Sequence, residues 1–199
     1  MSNSNSSFTK LITVTGISAV LFAIGLLITE RIPEIPVDID WKPFFIVNAI
    51  TVLFPLGGPT IAAGLGAALG EGFLDLIEGY EVDDPFGFVG YVVGFTVAGY
   101  IFQNRPRNKM LLIIGAIVGA AVQAIFEAAA LLIFGDEGFQ VALYSFLGNT
   151  ATHGIALGAI PLVIVIPLLY GRVERLLGYP TADGREEGAS ARFRGRTWM

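Results

Sequence analysis

The chain has 199 residues, 54% of them hydrophobic and 15% charged, with a mean hydropathy of +0.69. A soluble domain carries about a quarter charged residues, so this composition excludes a disordered chain and argues against a water-soluble globule. Twelve Lys and Arg against 17 Asp and Glu give a net charge of −5, which excludes nucleic-acid binding through a basic surface, and the absence of cysteine removes disulfides and thiolate metal sites.

A membrane-crossing helix needs about 20 mostly apolar residues. The first such run is Leu11–Thr29, preceded by a Ser/Asn-rich tail over residues 1–10. It exceeds a signal-peptide core, and Thr29-Glu30-Arg31-Ile32-Pro33 offers no small-residue cleavage site. The next uncharged run, Phe44–Gly70, contains Pro55-Leu56-Gly57-Gly58-Pro59. Two prolines without N–H groups and two turn-forming glycines break a helix, so the run predicts two helices, near 44–56 and 59–77, the first short for a crossing. Phe86–Gln103 predicts the fourth helix, and Met110–Phe134, which carries Glu127, predicts the fifth. Gly138–Gly171 is too long for one untilted crossing at about 1.5 Å per residue. Its first part is expected to be an outer loop or short surface helix, with the sixth span starting near Tyr144–Asn149.

Lys10, the loop Asn104-Arg105-Pro106-Arg107-Asn108-Lys109, and Arg172 and Arg175 with the four later arginines carry most of the positive charge. Six spans place all three groups on one side, the cytoplasm by the positive-inside rule. The acidic loops, Glu30–Asp40, Glu78–Asp84 and Asp136-Glu137, then face outward. The expectation is one all-α membrane domain of six helices over residues 11–178, with both termini cytoplasmic and a polar tail over 179–199. No phosphate-binding or dinucleotide loop is present.

Ionisable groups inside spans are costly and mark candidate sites. Glu127 lies in the outer half of span 5, with Gln123 one turn below on the same face. Glu71 and Asp75 share a face near the outer end of span 3, and Asp83 and Asp84 precede span 4. Tyr144, Asn149 and His153 mark the outer start of span 6, and Asn48 that of span 2. Polar residues from five elements are thus expected at one depth, as a pocket open to the outside. Plainer readings stand beside this one. Glu71 and Asp75 fit a water-exposed helix end, Asp83-Asp84 a solvated N-cap, Tyr144 and Asn149 interhelical hydrogen bonding, and His153 a structural histidine. Small residues recur at four-residue spacing: Ala19 and Ala23, Gly90, Gly94 and Ala98, Gly115 and Gly119, Gly154 and Gly158. Such stripes let helices approach closely.

This layout resembles the substrate-binding S components of energy-coupling factor transporters, small six-helix proteins that capture vitamins at the outer face. The likeness rests on the basic start and Ala19/Ala23 stripe of span 1, the Gly-rich passage from Phe54-Pro55-Leu56-Gly57-Gly58-Pro59 through Gly64, Gly66 and Gly70, the stretch Asp84-Pro85-Phe86-Gly87-Phe88 with Gly90, Gly94 and Gly99, and Leu143-Tyr144-Ser145-Phe146-Leu147-Gly148-Asn149. It covers residues 8–178. It implies a prokaryotic multi-pass cell-membrane protein, not itself an enzyme and without a cofactor. Its partners would be a transmembrane coupling subunit, docked on Ala19 and Ala23, and two ATPase subunits. It also implies ligand contacts from Tyr144, Asn149, Glu127 and Asp83. The tryptophan cage of thiamine-type members has no match, since the tryptophans here are Trp41 and Trp198. The N-terminal histidine motif of cobalt and nickel members is absent, which points away from a metal cargo.

The expected function is capture of a small water-soluble vitamin or related metabolite for ATP-driven uptake. The acid-rich pocket, with Glu127, Asp75 and Glu71, predicts a substrate with a positive charge or several hydrogen-bond donors. Two other classes remain open. A stand-alone carrier would show broken helices in both halves, and an intramembrane enzyme would need a nucleophile and base near His153.

Overall fold

The structure, a computed structural model, describes residues 3–33, 36, 39–54, 61–82, 84–102, 105–135 and 138–173. The Pro55–Pro59 turn, Asp83, Arg175 and the polar tail lie outside them. Helix α1 spans Asn3–Thr29, α2 Phe44–Leu53, α3 Ile61–Glu78, α4 Asp84–Phe102, α5 Lys109–Phe134 and α6 Phe139–Asn149. A π-helical segment, Thr150–Ala159, then runs directly into α7, Ile160–Leu169. The described residues contain no β-strand.

Four helices are long and apolar enough to cross a membrane: Phe8–Thr29, Asp84–Phe102, Lys109–Phe134 and Phe139–Leu169. Their outward faces are apolar, with Val20, Ile24, Val89, Ile114, Ile125 and Ile164 exposed. Such surface suits lipid rather than water. Helix α2 has 10 residues, about 15 Å, too short to cross alone, and nearly all of it is buried.

The last helix differs from expectation. Residues from Phe139 onward form neither a loop nor a separate surface helix; they open one continuous rod of 31 residues. The excess length is taken up inside the rod, where the helix widens and Ile160 N–H bonds the carbonyl of Ile155, five residues back. Pro161 follows at the start of α7. It has no N–H and its ring crowds the carbonyl four residues back, a common origin of helix irregularity.

Helix order in space follows the small-residue stripes. A side chain on Gly94 would meet the carbonyl of Gly119 at 2.5 Å, so α4 and α5 pack backbone to backbone. A side chain on Gly70 would meet the carbonyl of Ala19 at 2.5 Å, and one on Gly66 would strike Thr15 and Ser18. Ser18 also donates to the carbonyl of Ala63, at 2.7 Å. Ala19 therefore lies in the contact between α1 and α3, and Ala23 packs against the buried core. α1 and α3 approach this closely because α3 has no side chains at Gly66 and Gly70, while Ala19 and Ala23 each stay partly exposed. On α1 the open small residue is Gly16, where an added methyl would meet nothing within 4 Å.

The core has two parts. One is aromatic, with Phe22, Phe44, Tyr91 and Phe95 in mutual ring contact. The other is mostly aliphatic, built on Leu53, Ala98, Leu112, Leu162 and Ile166 around Phe102. The aromatic part forms the floor of the polar site.

Candidate functional site

The centre of the site is a residue that the sequence reading passed over. Lys42, in the segment between α1 and α2, sets its Nζ 3.0 Å from Oδ2 of Asp40, 3.0 Å from Oε1 of Glu71 and 2.8 Å from Oε1 of Glu127. Only 14% of the Lys42 side chain and 13% of that of Glu127 are exposed. The ammonium also stands 5.5 Å from the ring centroid of Tyr91, within range of a cation–π attraction.

Glycines fix the backbone that carries Lys42. Gly25 of α1 leaves room for Pro43 and Ile46, each of which would lie 2.7 Å from a side-chain carbon there. Gly148 of α6 makes the corresponding room for Ile39. Between these anchors the Asp40 N–H donates to Oδ1 of Asn149 at 3.1 Å. The Lys42-Pro43 step then opens α2, with the Phe44 N–H bonded to the Lys42 carbonyl at 2.9 Å.

Asn149 ties the network together. Its Nδ2 donates to Oε2 of Glu127 and to Oγ of Ser145, each at 3.3 Å. One helical turn on, His153 bonds Asp40 through Nε2, and its ring stacks on Phe44 with centroids 4.8 Å apart. Burial works against the charged form of Asp40, but Lys42 and His153 outweigh it and hold its carboxyl well below the usual range. Burial likewise opposes the Lys42 charge, and Asp40, Glu127 and Glu71 together push its ammonium well above its ordinary value. Both groups therefore stay ionised at neutral pH.

Two cavities flank Lys42. One, of about 210 Å³, is lined by Glu30, Asp40, Trp41, Lys42, Glu71, Asp75 and Glu78 with apolar residues of α1 and α3. The other, of about 150 Å³, is lined by Asp40, Lys42, Asp84, Gly87, Glu127, Ala130 and Asn149. Each holds more carboxylates than cations, even with Lys42 counted.

Of the residues singled out in the sequence, Glu127, Glu71, Asn149 and His153 join this network, and Asp75 lines the first cavity. Asp83 lies outside the described residues. Tyr144 is not brought in; it is 61% exposed and lines neither cavity, because its position on α6 faces away from Ser145 and Asn149. Gln123 and Asn48 are fully buried but line neither cavity, and their side-chain polar atoms have no hydrogen-bond partner. The residues missed are Lys42, Asp40, Tyr91 and Ser145. A signal existed for Lys42: it is a cation next to Trp41 and Pro43, at the mouth of an apolar run, in a loop otherwise rich in acid. Among the described residues no group of His, Asp and Glu has a metal-binding arrangement.

The arrangement is a set of carboxylates, an amide and an imidazole at one end of a helical bundle, over an aromatic floor. It can hold a cation or several hydrogen-bond donors. The chain matches no family model, no curated protein and no solved structure.

Proposed function

We propose that this protein is a membrane-embedded capture subunit that takes a small polar, cation-bearing solute from the outer side, in the manner of the S components of energy-coupling factor importers. The observation that carries this reading is the convergence of Asp40, Glu71, Glu127, Asn149 and His153 on one end of the bundle, beside two acidic cavities. Before His153 is counted, three carboxylates around one ammonium leave a formal charge of −2. A charge of that sign in a low-dielectric setting selects for cations.

In this reading the chain makes six helical passes, with α2 and α3 as the second and third and both termini in the cytoplasm of a prokaryotic cell. Uptake is driven by a transmembrane coupling subunit and two ATPase subunits. The face of α1 with Gly16 and the partly exposed Ala19 and Ala23 is the surface offered to the coupling subunit. A substrate of the vitamin class with a protonated nitrogen suits the carboxylates.

Isothermal titration of the detergent-solubilised protein with panels of cationic and anionic vitamins tests the solute class. Cationic members are expected to bind; binding confined to anionic members would overturn the charge argument. Co-purification of coupling and ATPase subunits from the native membrane is the expected sign of the importer. Their absence, with transport by the isolated chain in liposomes, would favour a stand-alone carrier.

A further inference from the structure

We infer that Lys42 is a tethered stand-in for the ammonium group of the solute, and that a primary-ammonium ligand enters by displacing the Lys42 side chain from Asp40, Glu71 and Glu127. The inference deepens the capture reading and rests on it. It starts from the place Lys42 takes in the site. Both cavities are lined by Lys42 and Asp40, so these two residues together stand between them. At about 210 and 150 Å³, each is smaller than the roughly 300–1,000 Å³ of a usual small-molecule pocket. Swinging the lysine away enlarges both.

The niche has the chemistry of an ammonium receptor. Three carboxylate oxygens stand at 2.8–3.0 Å from Nζ, matching the three N–H donors of an ammonium. The Tyr91 ring completes it, as aromatic faces do for ligand cations. Tyr91 is buried to 1% exposure, and its hydroxyl is directed at the Glu71 carboxylate, which it serves as a hydrogen-bond donor. The indole N–H of Trp41 is buried beside the larger cavity with no partner among the described residues, a donor that Lys42 leaves unused.

The backbone at Lys42 is pinned at Gly25 and Gly148, so the movement required is a rotation of the flexible lysine stem, not of the loop. The charge balance favours exchange: one ammonium replaces another, and no carboxylate is left unpaired. Lys42 thereby holds the empty site together and competes with weak cations.

The test uses ethylammonium as probe and tetramethylammonium, which has no N–H, as control. Wild type, Lys42→Met and Lys42→Ala are purified with and without 100 mM of each salt, and thermal midpoint and yield of folded protein are read. Ethylammonium is expected to raise the midpoint or yield of the Lys42 variants at concentrations at least tenfold lower than any effect on wild type. Tetramethylammonium is expected to do nothing. Equal responses of wild type and variants, or variants that neither salt recovers, would overturn the inference. The two readings separate cleanly. Rescue by ethylammonium without binding of any cationic vitamin by wild type keeps the niche and removes the capture reading. A cationic vitamin bound equally by wild type and Lys42→Met keeps capture and removes displacement.

Discussion

Nζ of Lys42 lies 2.8 Å from Oε1 of Glu127, joining the loop before α2 to the C-terminal half of α5 across 85 positions of sequence. The pair brings two more carboxylates with it, since Asp40 and Glu71 share the same ammonium. Removing one partner of a buried ion pair leaves uncompensated charge, at a cost of about 3–5 kcal/mol.

Lys42→Met therefore destabilises the protein, and the loss depends on pH. In wild type, the depressed Asp40 carboxyl contributes stability above its unfolded value near about 3.9 and loses it as pH falls through the folded value. The raised Lys42 ammonium contributes fully below about 10.4 and loses it only as pH rises through its higher folded value. Across pH 5–8 this pair gives wild type a flat profile. In Lys42→Met the three carboxylates face one another without a cation, their protonation becomes favourable, and stability rises on acidification. Thermal midpoints between pH 8 and 5 should climb more steeply for the variant than for wild type. Parallel slopes would show that the lysine is not the neutralising partner.

Asn149 offers an amide with both ends in use, accepting from Asp40 N–H and donating to Glu127 and Ser145. Asn149→Asp keeps the acceptor and loses the donor, and it adds a carboxylate facing Oε2 of Glu127. A lost charged hydrogen bond is worth about 1.5–3 kcal/mol, so unfolding should shift by at least that much at pH 7 and less at pH 5. Asn149→Ala, which adds no charge, should show little of this pH dependence. Identical pH profiles would contradict the contact with Glu127.

The two glycines that bear on α1 should respond oppositely to the same substitution. Gly70→Ala would set a methyl 2.5 Å from the carbonyl of Ala19 and force α1 from α3; overpacking of this kind costs about 1–3 kcal/mol. Gly16→Ala, on α1 itself, meets open space and gains helix propensity, up to about 1 kcal/mol. Thermal unfolding of both variants in one detergent checks the pair. A neutral Gly70→Ala would mean that the stripe does not set the α1–α3 distance.

Much of the helical order is legible in the sequence because apolar runs of membrane length are a strong signal; α4 and α5 lie within a few residues of the runs that predict them, and α1 ends at Thr29 as expected but begins at Asn3, inside the stretch read as a polar tail. The gathering of Glu71, Glu127, Asn149 and His153 at one depth follows from helix direction and register alone. Lys42 does not, because which loop residue folds back over a bundle depends on contacts such as Pro43 on Gly25 and Ile39 on Gly148, which no periodicity encodes. Tyr144 illustrates the opposite error. It sits beside Ser145 in sequence, but neighbouring helical positions point about 100° apart, and Ser145 is the one that faces the network. The widened turn between Thr150 and Ala159 likewise has no sequence signature beyond Pro161 and small residues.

The account turns on a cation-bearing solute binding among Asp40, Glu71 and Glu127, and Glu127→Gln tests it most directly. The substitution keeps size, keeps an acceptor for Asn149 and removes one charge. Isothermal titration of folded, membrane-inserted wild type and variant with the same cationic vitamin should show affinity weakened by about 30-fold or more, or about 2–5 kcal/mol. Unchanged affinity in a folded variant would contradict the claim, making Glu127 a structural partner of Lys42 and placing the binding pocket elsewhere.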